Sequence, residues 1–172
     1  HAARVFFIAQ EILVDLSSYP TAAIARNSHD FRPLGLGYAN LGTLLMLMGV
    51  PYDSPRGQSI AAALTGILTG PAYRVSSELA EVKGPFAGFA KNKESMMRVM
   101  EKHLAAATTI VHFASDGELV RAAREDWVEA VTAGERYGYR NAQASVCAPT
   151  GTIGLLMDCD TTGIEPDFAL VK

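Results

Sequence analysis

A chain of 172 residues, 49% hydrophobic and 19% charged, is long enough to bury one core and has the balance of a soluble globular domain. A net charge of −3 with dispersed basic residues offers no positive field to a nucleic-acid backbone, and no apolar run nears the roughly 20 residues that span a bilayer. The cysteines, Cys147 and Cys159, are too few for a disulfide framework or a zinc knuckle and point to a reduced, cytoplasmic setting.

The first element is an amphipathic helix over 2–16, with its apolar stripe on Val5, Ile8, Ala9, Ile12, Leu13 and Leu16. Tyr19-Pro20 ends it, and Thr21 can cap a shorter helix to about Asn27. The Gly-rich run 32–38, Arg-Pro-Leu-Gly-Leu-Gly-Tyr, reads as a strand or tight turn. It feeds a helix over about 40–48 that is apolar on all sides and should be buried, with Gly49 and Pro51 stopping it. Pro55 suits the first turn of a long helix over about 56–81, and Gly70-Pro71 should kink or split it.

After the loop at Gly84-Pro85, Asn92 is placed to cap a helix to about His103, with Met96, Val99, Met100 and Leu104 on one face. Asp116 begins a further helical stretch, broken into pieces, that ends between Gly134 and Gly138. A short apolar strand over 144–148 follows, then a turn over 149–154, and a short helix from Leu155. A polar loop over 158–163 and a strand over 168–171 close the chain. Helical periodicity starts within the first five residues and the chain stops inside a strand pattern, so the expectation is a piece of one domain, incomplete at both ends. Helices with a few short strands between them suit an α/β layer or barrel, to which this stretch would give two or three strands.

The turn Pro149-Thr150-Gly151-Thr152-Ile153-Gly154 carries the clearest chemistry. A strand turning into a helix there aims unpaired N–H groups at one spot, and the helix dipole adds partial positive charge. Gly151 lets the backbone approach closely, and the Thr150 and Thr152 hydroxyls can donate to phosphate oxygens. A plain helix cap after a strand is the competing reading. Gly35-Leu36-Gly37 begins like a dinucleotide fingerprint, with Asp53 downstream, but Asn40 stands where the third glycine belongs. His103, His112, Cys147 and Cys159 form no short ligand pair, so no metal site is assigned. Asp158, Asp160 and Glu165 either attract a cation or form a solvated acidic loop. The methionines at 46, 48, 96, 97 and 100 follow helical spacing, for which core packing is the default.

Together these segments resemble one family. The run from Ala148 through Pro149-Thr150-Gly151-Thr152-Ile153-Gly154 to Asp158-Cys159-Asp160-Thr161-Thr162-Gly163-Ile164-Glu165-Pro166 is similar to the late barrel segment of class II, adenosylcobalamin-dependent ribonucleotide reductases. The 32–42 run, Arg-Pro-Leu-Gly-Leu-Gly-Tyr-Ala-Asn-Leu-Gly, resembles the strand-to-helix turn upstream, and Arg140-Asn141 also fits. Order and spacing agree along nearly the whole chain.

The resemblance implies an α/β fold, a helix-rich part of a ten-stranded α/β barrel, with 1–172 lying in a single catalytic domain. It implies reduction of ribonucleoside di- or triphosphates, in the expected form of a thioredoxin-coupled ribonucleoside-diphosphate reductase. Adenosylcobalamin would initiate a thiyl radical there, a thioredoxin-like protein would be the reductant, and the full-length enzyme would be a homodimer. It further implies that Pro149, Thr150, Gly151, Thr152 and Ile153 bind the substrate's phosphate. The family's radical cysteine lies in an Asn-x-Cys-x-Glu pattern that neither Cys147 nor Cys159 shares, so no catalytic residue is assigned and this stretch alone should be inactive. The cobalamin site should lie mostly elsewhere. A rival of another class is a non-catalytic phosphate- or nucleotide-binding module.

Overall fold

A computed structural model of the chain describes residues 1–172 apart from 114, 168 and 170–172. Its described residues form seven helices: α1 (Ala2–Leu16), α2 (Ala22–Phe31), α3 (Leu41–Leu47), α4 (Pro55–Lys83), α5 (Phe89–Thr108), α6 (Gly117–Tyr137) and α7 (Gly151–Leu156). The caps that begin two of them follow from sequence. Thr21 Oγ1 accepts from Ile24 N–H at 3.2 Å, and Ser54 Oγ accepts from Gly57 N–H at 3.0 Å with Pro55 just inside the helix.

Several elements run differently from expectation. α2 extends to Phe31 and closes on Arg32 in the left-handed region at φ 47°. α4 continues through Pro71 as one helix. Proline forfeits one hydrogen bond, but Thr69, Gly70, Ala72 and Tyr73 on either side are buried, and that packing outweighs the local loss. α5 starts at Phe89, so Asn92 lies inside it and donates to Gly88 O at 2.8 Å. α6 is unbroken, and α7 begins at Gly151 rather than Leu155.

Among the described residues, the expected strands are reduced to a single parallel bridge between Leu36 and Ser145. Leu36 N–H donates to Ala144 O at 3.0 Å and Val146 N–H to Leu36 O at 2.9 Å. A two-segment parallel pair with no flanking strand has too little pairing to build a ladder. Gly35 and Gly37 serve this approach, since a Cβ on Gly37 would lie 2.4 Å from Val146 O. That requirement accounts for the half-formed dinucleotide pattern. Of the strand expected over 168–171, all but Ala169 lies outside the described residues, and Ala169 is in irregular backbone.

The core joins Phe7 of α1, Tyr73 of α4, Met100 of α5 and Trp127 of α6 with Phe86, Phe89 and Tyr139. Tyr73 and Tyr139 meet edge-to-face at 5.5 Å, and Phe86 and Phe89 at 5.6 Å. α4 and α6 approach closely because α4 presents glycine. A Cβ on Gly66 would lie 2.9 Å from Ala123 Cβ, and one on Gly70 3.0 Å from Asp126 Cβ.

Two apolar faces depart from the pattern. α1 buries Phe7, Glu11 and Val14, whereas Val5, Ile12, Leu13 and Leu16 of the expected stripe are 49–75% exposed. α3 buries Leu41 and Leu45 but leaves Leu44, Met46 and Leu47 exposed, so it is not covered on all sides, and Met46 and Met48 are not core residues. For α1 the cause is electrostatic. Glu11 Oε1 accepts from Arg32 Nε at 2.6 Å and Arg140 Nε at 3.0 Å, and its Oε2 accepts from Asn141 Nδ2 at 2.6 Å. A buried carboxylate so fully paired turns its own face of the helix inward. Asp15 completes the cluster on Arg32, whose hydrogen bonds hold its carboxyl below the usual range. Asn141 also donates to Arg32 O at 3.0 Å, so the cluster anchors the start of both bridged segments.

Candidate functional site

The segment after Ser145 runs through Cys147 and Ala148 into the 149–153 turn, and the turn into α7. Thr150 (φ 61°) and Gly151 (φ 40°) both adopt the left-handed region that bends a strand sharply into a helix. A Cβ on Gly151 would meet nothing within 4 Å, so open space lies in front of the turn. Pro149, Gly151, Thr152 and Ile153 are exposed and Thr150 is half-buried.

The amides of the turn divide between internal and outward use. Gly151 N–H donates to Pro149 O at 2.8 Å, and Ile153 N–H to Thr150 O at 2.9 Å. Thr152 N–H lies in the first turn of α7, where no acceptor exists within the helix. Thr150 Oγ1 accepts from Gly163 N–H at 3.0 Å, and its hydroxyl keeps one hydrogen to donate. Gly154 makes this possible, since a Cβ there would lie 2.9 Å from Thr150 Oγ1. α7 has six residues, so its macrodipole is short.

A second set of residues, which sequence reasoning left as a polar loop, folds back over this turn. Thr161, 3% exposed, donates its N–H to Asn40 Oδ1 at 3.2 Å and its hydroxyl to the same oxygen at 3.3 Å. Its Oγ1 accepts from Thr43 N–H at 3.1 Å. Asn40 holds the left-handed conformation (φ 70°) just before α3. Gly42 admits the loop, because a Cβ there would lie 2.8 Å from Glu165 O and 2.9 Å from Thr161 Cγ2. Tyr52 hydroxyl donates to Ile164 O at 2.6 Å. The one sequence signal for this clasp was the asparagine in place of the third fingerprint glycine.

His103 and Cys147 line a common cavity of about 560 Å³ with Tyr38, Thr69 and Trp127, and neither His112 nor Cys159 lines it. His103 stacks on Trp127 at 4.9 Å, and burial pushes its imidazole below the ordinary value. A second cavity of about 630 Å³ lies between α1 and α4, with Pro71, Arg74 and Asp126 on its walls. Among the described residues no three His, Cys, Asp or Glu side chains converge as metal ligands, and no helix is long and apolar enough to cross a membrane.

Comparison with known proteins adds relatives that share this segment. The family model described as ribonucleotide reductase, barrel domain, matches residues 1–172. The chain is 58% identical over 173 residues to the vitamin B12-dependent ribonucleotide reductase of Rhodopirellula baltica, covering 99% of the chain and 16% of that protein. It is 49% identical to the enzyme of the same name from Agrobacterium fabrum and 48% identical to that from Bradyrhizobium diazoefficiens, covering 100% of the chain and 15% of each. The chain thus spans about one-sixth of the length of these relatives.

Proposed function

Since the chain belongs to the ribonucleotide reductase family through its barrel domain, we propose that it forms part of the catalytic barrel of a vitamin B12-dependent ribonucleotide reductase. In this reading the turn of Pro149, Thr150, Gly151, Thr152 and Ile153 holds the phosphate of the ribonucleotide. The observation that carries the role is the open face at Gly151 beside Thr152 N–H, in the first turn of α7, and the Thr150 hydroxyl. Anchoring the anionic end of a substrate far from its reacting ribose is a use of binding energy that positions the sugar for chemistry done by other groups. Residues 1–172 are then one section of a single ten-stranded α/β barrel, and the bridge of Leu36 to Ser145 marks two neighbouring strands of it.

The whole enzyme reduces ribonucleotides to deoxyribonucleotides, is re-reduced by a thioredoxin-like protein and acts as a homodimer; these assignments rest on the family. Adenosylcobalamin supplies the radical that starts the chemistry when bound. The residues here do not fit it. The cavities of about 560 and 630 Å³ are smaller than a corrin ring with its nucleotide tail. In this reading most of the cofactor's site lies elsewhere in the enzyme.

The test is Gly151→Val in the full-length reductase. A side chain fits the open space but strains the left-handed backbone and covers the anion's approach. The KM for ribonucleotide should rise at least about tenfold while the enzyme stays folded, the scale of losing one charge-assisted hydrogen bond. An unchanged KM refutes the phosphate role.

A further inference from the structure

We infer that Thr161 is a positioning residue for the substrate phosphate, acting through Gly163 on the Thr150 hydroxyl. This rests on the phosphate role proposed for the 149–153 turn.

The argument is a count of protons. Thr161 has one hydroxyl hydrogen, and it is directed at Asn40 Oδ1 at 3.3 Å. With that hydrogen on Asn40, its oxygen accepts from Thr43 N–H at 3.1 Å and can accept from the Thr43 hydroxyl at 3.3 Å. One buried hydroxyl thus joins Asn40 and Thr43, both at the start of α3. Two residues on, Gly163 in the left-handed region (φ 50°) turns its N–H onto Thr150 Oγ1 at 3.0 Å. A Cβ at Gly163 would lie 2.8 Å from Ala148 O, so the loop is seated directly on the segment that leads into the turn.

The consequence is directional. Because Thr150 Oγ1 accepts from Gly163, its own proton is denied that direction and stays available to donate to another acceptor. The clasp from α3 through Thr161 to Gly163 thereby selects the orientation in which Thr150 is a donor to an anion. Without it Thr150 is free to turn its hydroxyl proton to other acceptors, and the binding face loses a preorganised donor.

The test uses full-length reductase with Thr161→Val, which keeps the shape and removes the hydroxyl, and Thr161→Ser, which restores it. We expect Thr161→Val to raise the KM for ribonucleotide about fivefold to tenfold with kcat at saturation changed less than about twofold, and Thr161→Ser to return KM to within about twofold of the parent. Thr43→Val, which removes only one of the acceptor's partners, gives a smaller rise and serves if Thr161→Val does not fold. The deciding measurement is the cycle with Thr150→Val. If Thr161 acts through Thr150, adding Thr161→Val to Thr150→Val raises KM no further. Additive effects, or parallel loss of kcat and melting temperature that serine does not rescue, overturn the inference and leave Thr161 a scaffold residue. Unchanged KM in Thr150→Val alone would instead sink the phosphate role of the turn, a separate result.

Discussion

The α4–α6 body and the 149–165 segment are built on opposite terms. The body is held by burial: Trp127, Tyr73 and Ala130 are buried between helices, and Gly66 and Gly70 let the backbones close to contact. The segment is exposed at Ile153, Leu155, Leu156 and Met157, and it is held by a few hydrogen bonds: Thr161 to Asn40, Thr43 to Thr161, and Gly163 to Thr150 within the segment. Packed apolar contact tolerates a lost bond, as α4 tolerates Pro71. A clasp of a few hydrogen bonds does not, but it alone can direct a hydroxyl at a ligand. The body fixes where the turn sits, and the clasp fixes what the turn presents.

Substitution in each region should therefore move different quantities. The largest effect belongs to the body. Trp127→Ala removes a side chain 3% exposed, with Tyr73 6.0 Å away and His103 stacked on its other side. It should cost about 3–5 kcal/mol of local stability, read as faster hydrogen exchange in α4 and α6, with KM unchanged in the folded fraction. A matching change in KM would erase the division between the two regions.

Gly154→Ala acts on the turn in the opposite sense. Its Cβ would press on Thr150 Oγ1 from 2.9 Å, so Thr150 must move and KM should rise about tenfold while exchange in α4 and α6 stays as it was. Steady-state kinetics beside the same exchange measurement would check both halves.

The smallest expected effect is pH-dependent and confined to the body. Burial lowers the His103 value below its ordinary 6.5, so the unfolded chain binds that proton more readily than the folded one. The stability this group contributes is complete above 6.5 and declines as pH falls below it. Replacing His103 with Phe keeps the stack on Trp127 and should flatten the acid slope in α5 and α6 between about pH 7 and 5. An undiminished slope would place the titration elsewhere.

What could be read in the sequence follows the same division. Local signals served well: Thr21 and Pro55 begin helices as their chemistry requires, and the α1 boundaries agree with periodicity. Signals that depend on partners did not. The apolar stripe put the buried face of α1 on the wrong side, because burial there turns on Glu11, whose partners Arg32 and Arg140 lie 21 and 129 positions away. The 144–148 strand pattern needed neighbours that a two-segment pairing lacks, so only one bridge forms. In the site, the turn and its residues were visible as a motif. The clasp was not, because Thr161 meets Thr43 across 118 positions and nothing local in Asp-Thr-Thr-Gly marks a buried hydroxyl.

The central claim is that the turn of Thr150 and Thr152 receives the substrate's phosphate. The most direct test is a structure of the full-length reductase with its ribonucleotide bound. The account predicts a phosphate oxygen within about 2.7–3.2 Å of Thr152 N and a second donor contact from Thr150 Oγ1, with Gly163 N–H still on that oxygen. A phosphate seated away from these atoms, with the face of Gly151 empty, would contradict it.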